Sequence, residues 1–172
     1  MIGALDGKHV KIRQPACSGS KFFNYKHSFS IVLLVLADAN YKFLFVDVRS
    51  QGRCSDGGIF HESDLKKALD SNAVNIPEPQ PLTGRTEPFP FVVLADDAFP
   101  LKFNLMKPFP QRNLTREQRI FNYRLSRSRR CIENAFGIMS NRFRVMLNPI
   151  CLPPAKVDFT VLAAQYAENP YA

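Results

Sequence analysis

Apolar and polar positions divide the first half of the chain into short β-prone runs. In "MIGALDGKHVKI", Ile2, Ala4, Val10 and Ile12 bracket Asp6 and Gly7, which predicts a strand with a polar interruption. "SFSIVLLVLADANYKFLFVDV" is nearly continuous in β-prone residues and breaks only at Asp38, Ala39 and Asn40, as two long strands joined by a tight turn would. Ile31 to Leu36 and Phe43 to Val46 are apolar on both faces, so the sheet they form must be covered on both sides.

Helices supply the covers. "SDGGIFHESDLKKALDS" predicts one, because Ile59, Phe60, Leu65, Ala68 and Leu69 recur at near-helical spacing and Ser55 or Asp56 is placed to cap the first turn. Residues 71–90 hold five prolines, which excludes a helix or an inner strand and predicts a long loop. The loop delivers the chain to a short strand, "FVVLA". Beyond "KPFPQRN" the period turns helical: Thr115 and Gln118 have capping-box spacing, and Ile132, Ala135, Phe136, Met139 and Phe143 trace one apolar stripe. Glu133 falls near the border of that stripe. The order predicts an α/β domain over residues 1–172, a central mixed sheet flanked by helices, with no internal repeat.

Composition narrows the function classes. A chain of 172 residues, 45% hydrophobic, can bury a core as a single domain. No window approaches the roughly 18 uninterrupted apolar residues of a membrane span, and no basic-then-apolar leader follows Met1, so a soluble, non-secreted protein is expected. Cys17, Cys54, Cys131 and Cys151 lie far apart without CxxC spacing, which fits a reduced compartment and gives a zinc site little support. The formal charge of +8 points to a polyanionic partner. The charge is concentrated: residues 112–144 hold nine arginines against two acids, Glu117 and Glu133, making this the segment expected to touch phosphates.

Three carboxylates stand out against that basic background: Asp6 in the first strand, Asp96 after the late strand and Glu133 on the arginine-rich helix. If the two strands are neighbours, Asp6 and Asp96 converge at one sheet edge. Carboxylates brought that close repel unless a cation compensates them, and hard oxygen ligands select Mg²⁺ or Mn²⁺. Two such ions about 4 Å apart support in-line phosphodiester displacement. The plainer alternative is that the aspartates cap turns and Glu133 pairs with Arg129 or Arg130 one helical turn away, worth about 0.3–0.5 kcal/mol.

Three longer strings bear on this choice. "IGALDGKHVKI", "VLADDAFPLKFNLMKPFP" and "FNYRLSRSRRCIENAFGIMSNRFRV", with "RSQGRCSDGGIF" between them, closely resemble the transposase domain of the PIF/Harbinger family over nearly the whole chain. The resemblance implies an RNase H-like fold and a metal-dependent DDE nuclease, with two Mg²⁺ or Mn²⁺ ions, that cuts DNA and joins a freed 3′-hydroxyl to target DNA. Its acidic triad maps onto Asp6, Asp96 and Glu133, leaving Asp97 a neighbour of the triad. It also implies a Myb-like DNA-binding partner; a location in the nucleus or also the cytoplasm, a homo-oligomer and no membrane association are expected beside it. The family pattern has a helical DNA-binding region before this strand, whereas Asp6 stands five residues after Met1, so a chain without that region is expected. An "LHN"-like close is also altered, with Ala167 and Glu168 before Asn169, so a divergent, truncated or wrongly spliced C-terminus is expected, in which loss of a terminal helix would remove packing from the Glu133 helix.

Other residues admit two readings each. Asp56 either caps a helix, the favoured reading, or is an accessory ligand. His9 is a phosphate or structural contact in preference to a general base. Lys8, Arg124, Arg127, Arg129 and Arg130 are expected on DNA, although Arg129, one turn before Glu133, either orients the Glu133 carboxylate or grips a phosphate, against a solvated ion pair. Lys21, Lys26 and His27 alternate with Phe22, Phe23 and Tyr25 as in single-strand binders, yet an amphipathic strand with its rings in the core is the simpler account. The rival to a nuclease is a domesticated copy serving as a DNA- or protein-binding module. A nuclease acting on RNA hybrids is a third, weaker option.

Overall fold

The computed structural model describes residues 1–168, apart from the side chains of Arg49 and Ser50. Strands β1 (Gly3–Lys11), β2 (Ser30–Ala37) and β3 (Phe43–Gln51) form an antiparallel meander. Helices α1 (Asp56–Glu62) and α2 (Asp64–Asp70) follow, then the short strands β4 (Gln80–Pro81), β5 (Pro88–Phe89), β6 (Val93–Leu94) and β7 (Leu105–Met106). The long helix α3 (Arg116–Arg142), a 3-10 turn (Arg144–Leu147) and helix α4 (Pro154–Glu168) complete the described chain. The main sheet has the order β3-β2-β1-β6-β7, with β6 and β7 parallel to β1. A mixed five-stranded sheet between helices is the α/β, RNase H-like architecture expected from the sequence.

Strand periodicity sorts the side chains between two cores. On one face Ala4, Val10, Ile31, Leu33 and Val35 meet Ile132, Ala135, Phe136 and Met139 of α3 and Val157, Val161 and Ala164 of α4. On the other, Leu5, Val32, Leu34 and Leu36 meet Ile59 and Phe60 of α1, Leu65 of α2, and Val93, Phe99 and Leu105. Both faces of β2 are therefore buried, as its unbroken apolar run requires. The turn after β2 is held by Asp38, whose carboxylate accepts from the backbone N–H of Asn40 and Lys42. Helix α3 starts at the expected box, with Thr115 and Gln118 capping each other's backbone.

Three expectations change. The helix expected over "SDGGIFHESDLKKALDS" is broken at Ser63, whose backbone is extended. Its Oγ accepts from Lys66 N–H at 3.2 Å, capping α2, and donates to Phe60 O at 2.7 Å, closing α1. The proline-rich loop carries a small exposed ladder of β4 and β5. The segment expected as an amphipathic strand near Phe22 to His27 is instead a series of turns with Tyr25 exposed. Helix α4 fills the core beside α3, and Arg142 pairs with Glu168 at 3.4 Å. Asn169 lies outside the described residues.

Candidate metal centre on the open edge of the first strand

The ladder between β1 and β6 ends at Ala4 and Leu94, so Asp6 lies where β1 has left β6. Asp96 follows two residues after β6, at the start of a turn in which its carboxylate accepts from Ala98 N–H at 3.0 Å. The expected convergence of Asp6 and Asp96 is thus present. A third carboxylate joins them: Asp6, Asp56 and Asp96 each offer an oxygen within 4.8 Å of the others, and all three are half-buried.

Asp56 reaches this position because two glycines let it. A Cβ at Gly7 would stand 2.1 Å from Asp56 Oδ1, and one at Gly57 would stand 2.3 Å from Ala98 O. Any larger residue would push α1 away from β1 or from the turn after Asp96. Helix capping is done by Ser55, whose Oγ accepts from Gly58 N–H, so the capping reading of Asp56 is corrected. Asp56 is the first helical residue, and its carboxylate is turned inward to the acids. Its Oδ1 is buried without a hydrogen-bond partner among the described residues, a costly state for a charged oxygen.

Electrostatics match this picture. Burial pushes the Asp56 carboxyl up to about 6, reinforced by Asp6 and Asp96 and opposed by Lys26 and Arg129. Burial likewise raises Asp6, opposed first by Arg129 and by the Gly7 N–H that donates to its Oδ1 at 3.0 Å, with Asp96 and Glu133 pushing upward. Arg129 Nη2 lies 3.4 Å from Asp6 Oδ1, and its Nε is buried without a partner among the described residues. Arg129 thus pairs with Asp6, where the expectation had it orienting the Glu133 carboxylate or gripping a phosphate. One guanidinium does not neutralise three acids, so the cluster calls for a further proton or a cation.

The donor set fits a hard divalent ion. Bonds of about 2.0–2.1 Å hold ligand oxygens roughly 3–4 Å apart around an octahedral ion, which asks the 4.8 Å cluster to contract only slightly. An oxygen without a partner, a glycine cradle and all-carboxylate donors favour Mg²⁺ or Mn²⁺ over a soft metal.

Glu133 stands apart. It is exposed on α3 and lies outside the cluster of three, although its charge is felt at Asp6. Arg124, Arg127 and Arg130 are exposed at three-residue steps along α3, and the Arg127 guanidinium lies over the Tyr123 ring. Lys8 is half-buried with its ammonium 5.3 Å from the Phe136 ring centroid, and burial lowers its pKa. His9 Nδ1 is 2.8 Å from Ser30 Oγ, and burial lowers its pKa, both of which fit a structural role.

This geometry coincides with what comparison shows. A family model described as DDE superfamily endonuclease matches residues 5–166, and the chain belongs to that family. The chain is also similar to "Protein ALP1-like" of Arabidopsis thaliana, 26% identical over 153 residues that make up 88% of this chain and 37% of that relative. It thus spans little more than a third of the relative's length. No solved structure matches the chain. Both matches support the Harbinger-type DDE transposase domain recognised in the motifs. No helix among the described residues is long and apolar enough to cross a membrane.

Proposed function

We propose that the chain is a metal-dependent DNA endonuclease of the Harbinger transposase type, able to cut phosphodiester bonds and pass a 3′-hydroxyl to target DNA. The single observation carrying this reading is the group of three half-buried carboxylates within 4.8 Å, in a chain of the DDE endonuclease family. Asp6 and Asp96 hold the divalent ions, Mg²⁺ or Mn²⁺, with Asp56 at hand in this geometry and Glu133 as the third acid by resemblance. What the ions supply when bound is Lewis-acid charge at the scissile phosphate. Arg129 fixes the Asp6 carboxylate, and Arg124, Arg127 and Arg130 grip the DNA backbone beside it. A nuclear location, a Myb-like partner and a homo-oligomer belong to the same proposal.

The test is nicking of supercoiled plasmid. The native protein with Mn²⁺ or Mg²⁺ should produce open circles, and Asp96→Asn should abolish this while leaving the circular dichroism spectrum unchanged. Undiminished nicking by Asp96→Asn sinks the assignment.

One observation favours a second reading. With Glu133 exposed and outside the cluster, the chain fits a domesticated copy that binds DNA without cutting it. Such a module should show salt-sensitive DNA affinity and no metal-dependent cleavage. Offering RNA–DNA hybrid beside duplex DNA separates both readings from a hybrid-specific nuclease.

A further inference from the structure

Residues 13–29, between β1 and β2, turn back on themselves around one side chain. Asn24 is buried, its amide donates to Ser30 Oγ at 2.8 Å, and its carbonyl oxygen accepts from Lys26 N–H at 2.9 Å and Ser28 N–H at 3.1 Å. The backbone closes the same turn, Asn24 N–H donating to Ser28 O at 2.9 Å. Ser30, fully buried, also contacts His9 of β1. Beside the turn, Phe23 packs edge-on against Phe29 at 5.2 Å, and Phe22 packs against the core. The turn is therefore a rigid feature fastened to β1 and β2.

What this feature presents is unusual for its cost. Tyr25 stands at the tip with 76% of its surface exposed, the most open of the large apolar and aromatic side chains among the described residues. The His9 ring approaches it at 5.5 Å and Lys26 Nζ lies 5.3 Å from its centroid. Neither contact removes the ring from water, so Tyr25 adds little to the core. Its place beside the acidic cluster is set by β1: His9 is two residues past Gly7 and on the same face, and Asp56 rests against Gly7. The Lys26 charge is felt at Asp56, at Lys8 and at His9. An open aromatic ring and a cation on a long flexible stem are thus held on the face of β1 that Asp56 meets further along, in the field of carboxylates that would themselves repel DNA.

We propose that the turn of residues 24–28 is a platform for single-stranded DNA, Tyr25 stacking on an unpaired base of the strand that enters the acidic site and Lys26 engaging the neighbouring phosphate. This inference rests on the nuclease reading for the identity of the strand. It adds a base-holding site that the acidic cluster and the arginines of α3 do not provide. Stacking suits such a site because every base offers a π-face, so the contact is strong without being sequence-specific. The lysine leaves the tyrosine ring for the phosphate as the base arrives, exchanging one favourable contact for another.

The protein has no tryptophan, so Tyr25→Trp installs a lone reporter at the tip. In metal-free buffer, an oligothymidine of about 12 nucleotides should quench its emission saturably. Tyr25→Ala should weaken single-strand affinity by at least about five-fold, and Tyr25→Phe should retain it. Affinity of Tyr25→Ala for blunt duplex of the same length should be unchanged. The inference is overturned if emission is unaffected at saturation, if Tyr25→Ala binds oligothymidine as the native protein does, or if single strand and duplex weaken equally. Because the assay needs no metal, a native protein that nicks plasmid while Tyr25→Ala binds normally defeats this inference alone. A native protein that binds no DNA defeats both.

Discussion

Asp56→Asn is the most informative perturbation because it separates folding from ion binding. In the metal-free protein the Asp56 carboxyl is raised from 3.8 to about 6, chiefly by burial and then by Asp6 and Asp96. A raised carboxylate costs nothing below the unfolded value, where both states are protonated. Its cost grows as pH rises through the interval and is complete above the folded value. Taken whole, the shift corresponds to about 3 kcal/mol. Because the group is partly open to solvent, screening reduces this to roughly 1–2 kcal/mol. Asparagine keeps the shape, removes the charge and can donate to Asp6 or Asp96. Thermal denaturation in chelator at pH 7.5 should show the variant more stable by roughly 2–8 °C, and the gain should shrink toward zero at pH 4. Mn²⁺ should stabilise the native protein and leave the variant nearly unmoved. A variant less stable than native at pH 7.5, or equally stabilised by Mn²⁺, would refute the reasoning.

Three further outcomes follow from the same geometry. Gly7→Ala sets a methyl 2.1 Å from Asp56 Oδ1, so the protein should fold but lose Mn²⁺-dependent stabilisation. Unchanged stabilisation would show that Asp56 is not held by that contact. Ile132→Ala, at a fully buried position of α3, should cost about 2–5 kcal/mol in urea unfolding, and a cost under about 1 kcal/mol would mean that α3 does not pack on the sheet as described. Replacing Arg124, Arg127 and Arg130 together by Gln should weaken duplex binding and flatten the plot of log affinity against log salt by about 3. An unaltered slope would place the DNA elsewhere.

The sheet was legible because its strands are apolar on both faces and separated by a turn with a plain signal at Asp38. Helix α3 was legible because capping box and stripe agree. The break at Ser63 was hidden because the apolar spacing continues across it, and one serine serving both helix ends leaves no mark on the period. In the site, Asp6 and Asp96 were found because strand adjacency alone brings them together. The role of Asp56 depends on the space over Gly7, a contact between residues 49 positions apart. Its one local sign was Ser55, which satisfies the cap and frees the next carboxylate. Tyr25 misled because alternating rings and charges resemble a strand, whereas Asn24 spends its side chain closing a turn.

Calorimetric titration of Mn²⁺ into metal-free native protein, Asp6→Asn and Asp96→Asn shows whether Asp6, Asp56 and Asp96 hold a divalent cation. The native protein should bind saturably and either substitution should remove the binding, in variants that unfold cooperatively as the native chain does. Equal Mn²⁺ binding by all three proteins, or none by the native protein, would mean that these carboxylates hold no ion.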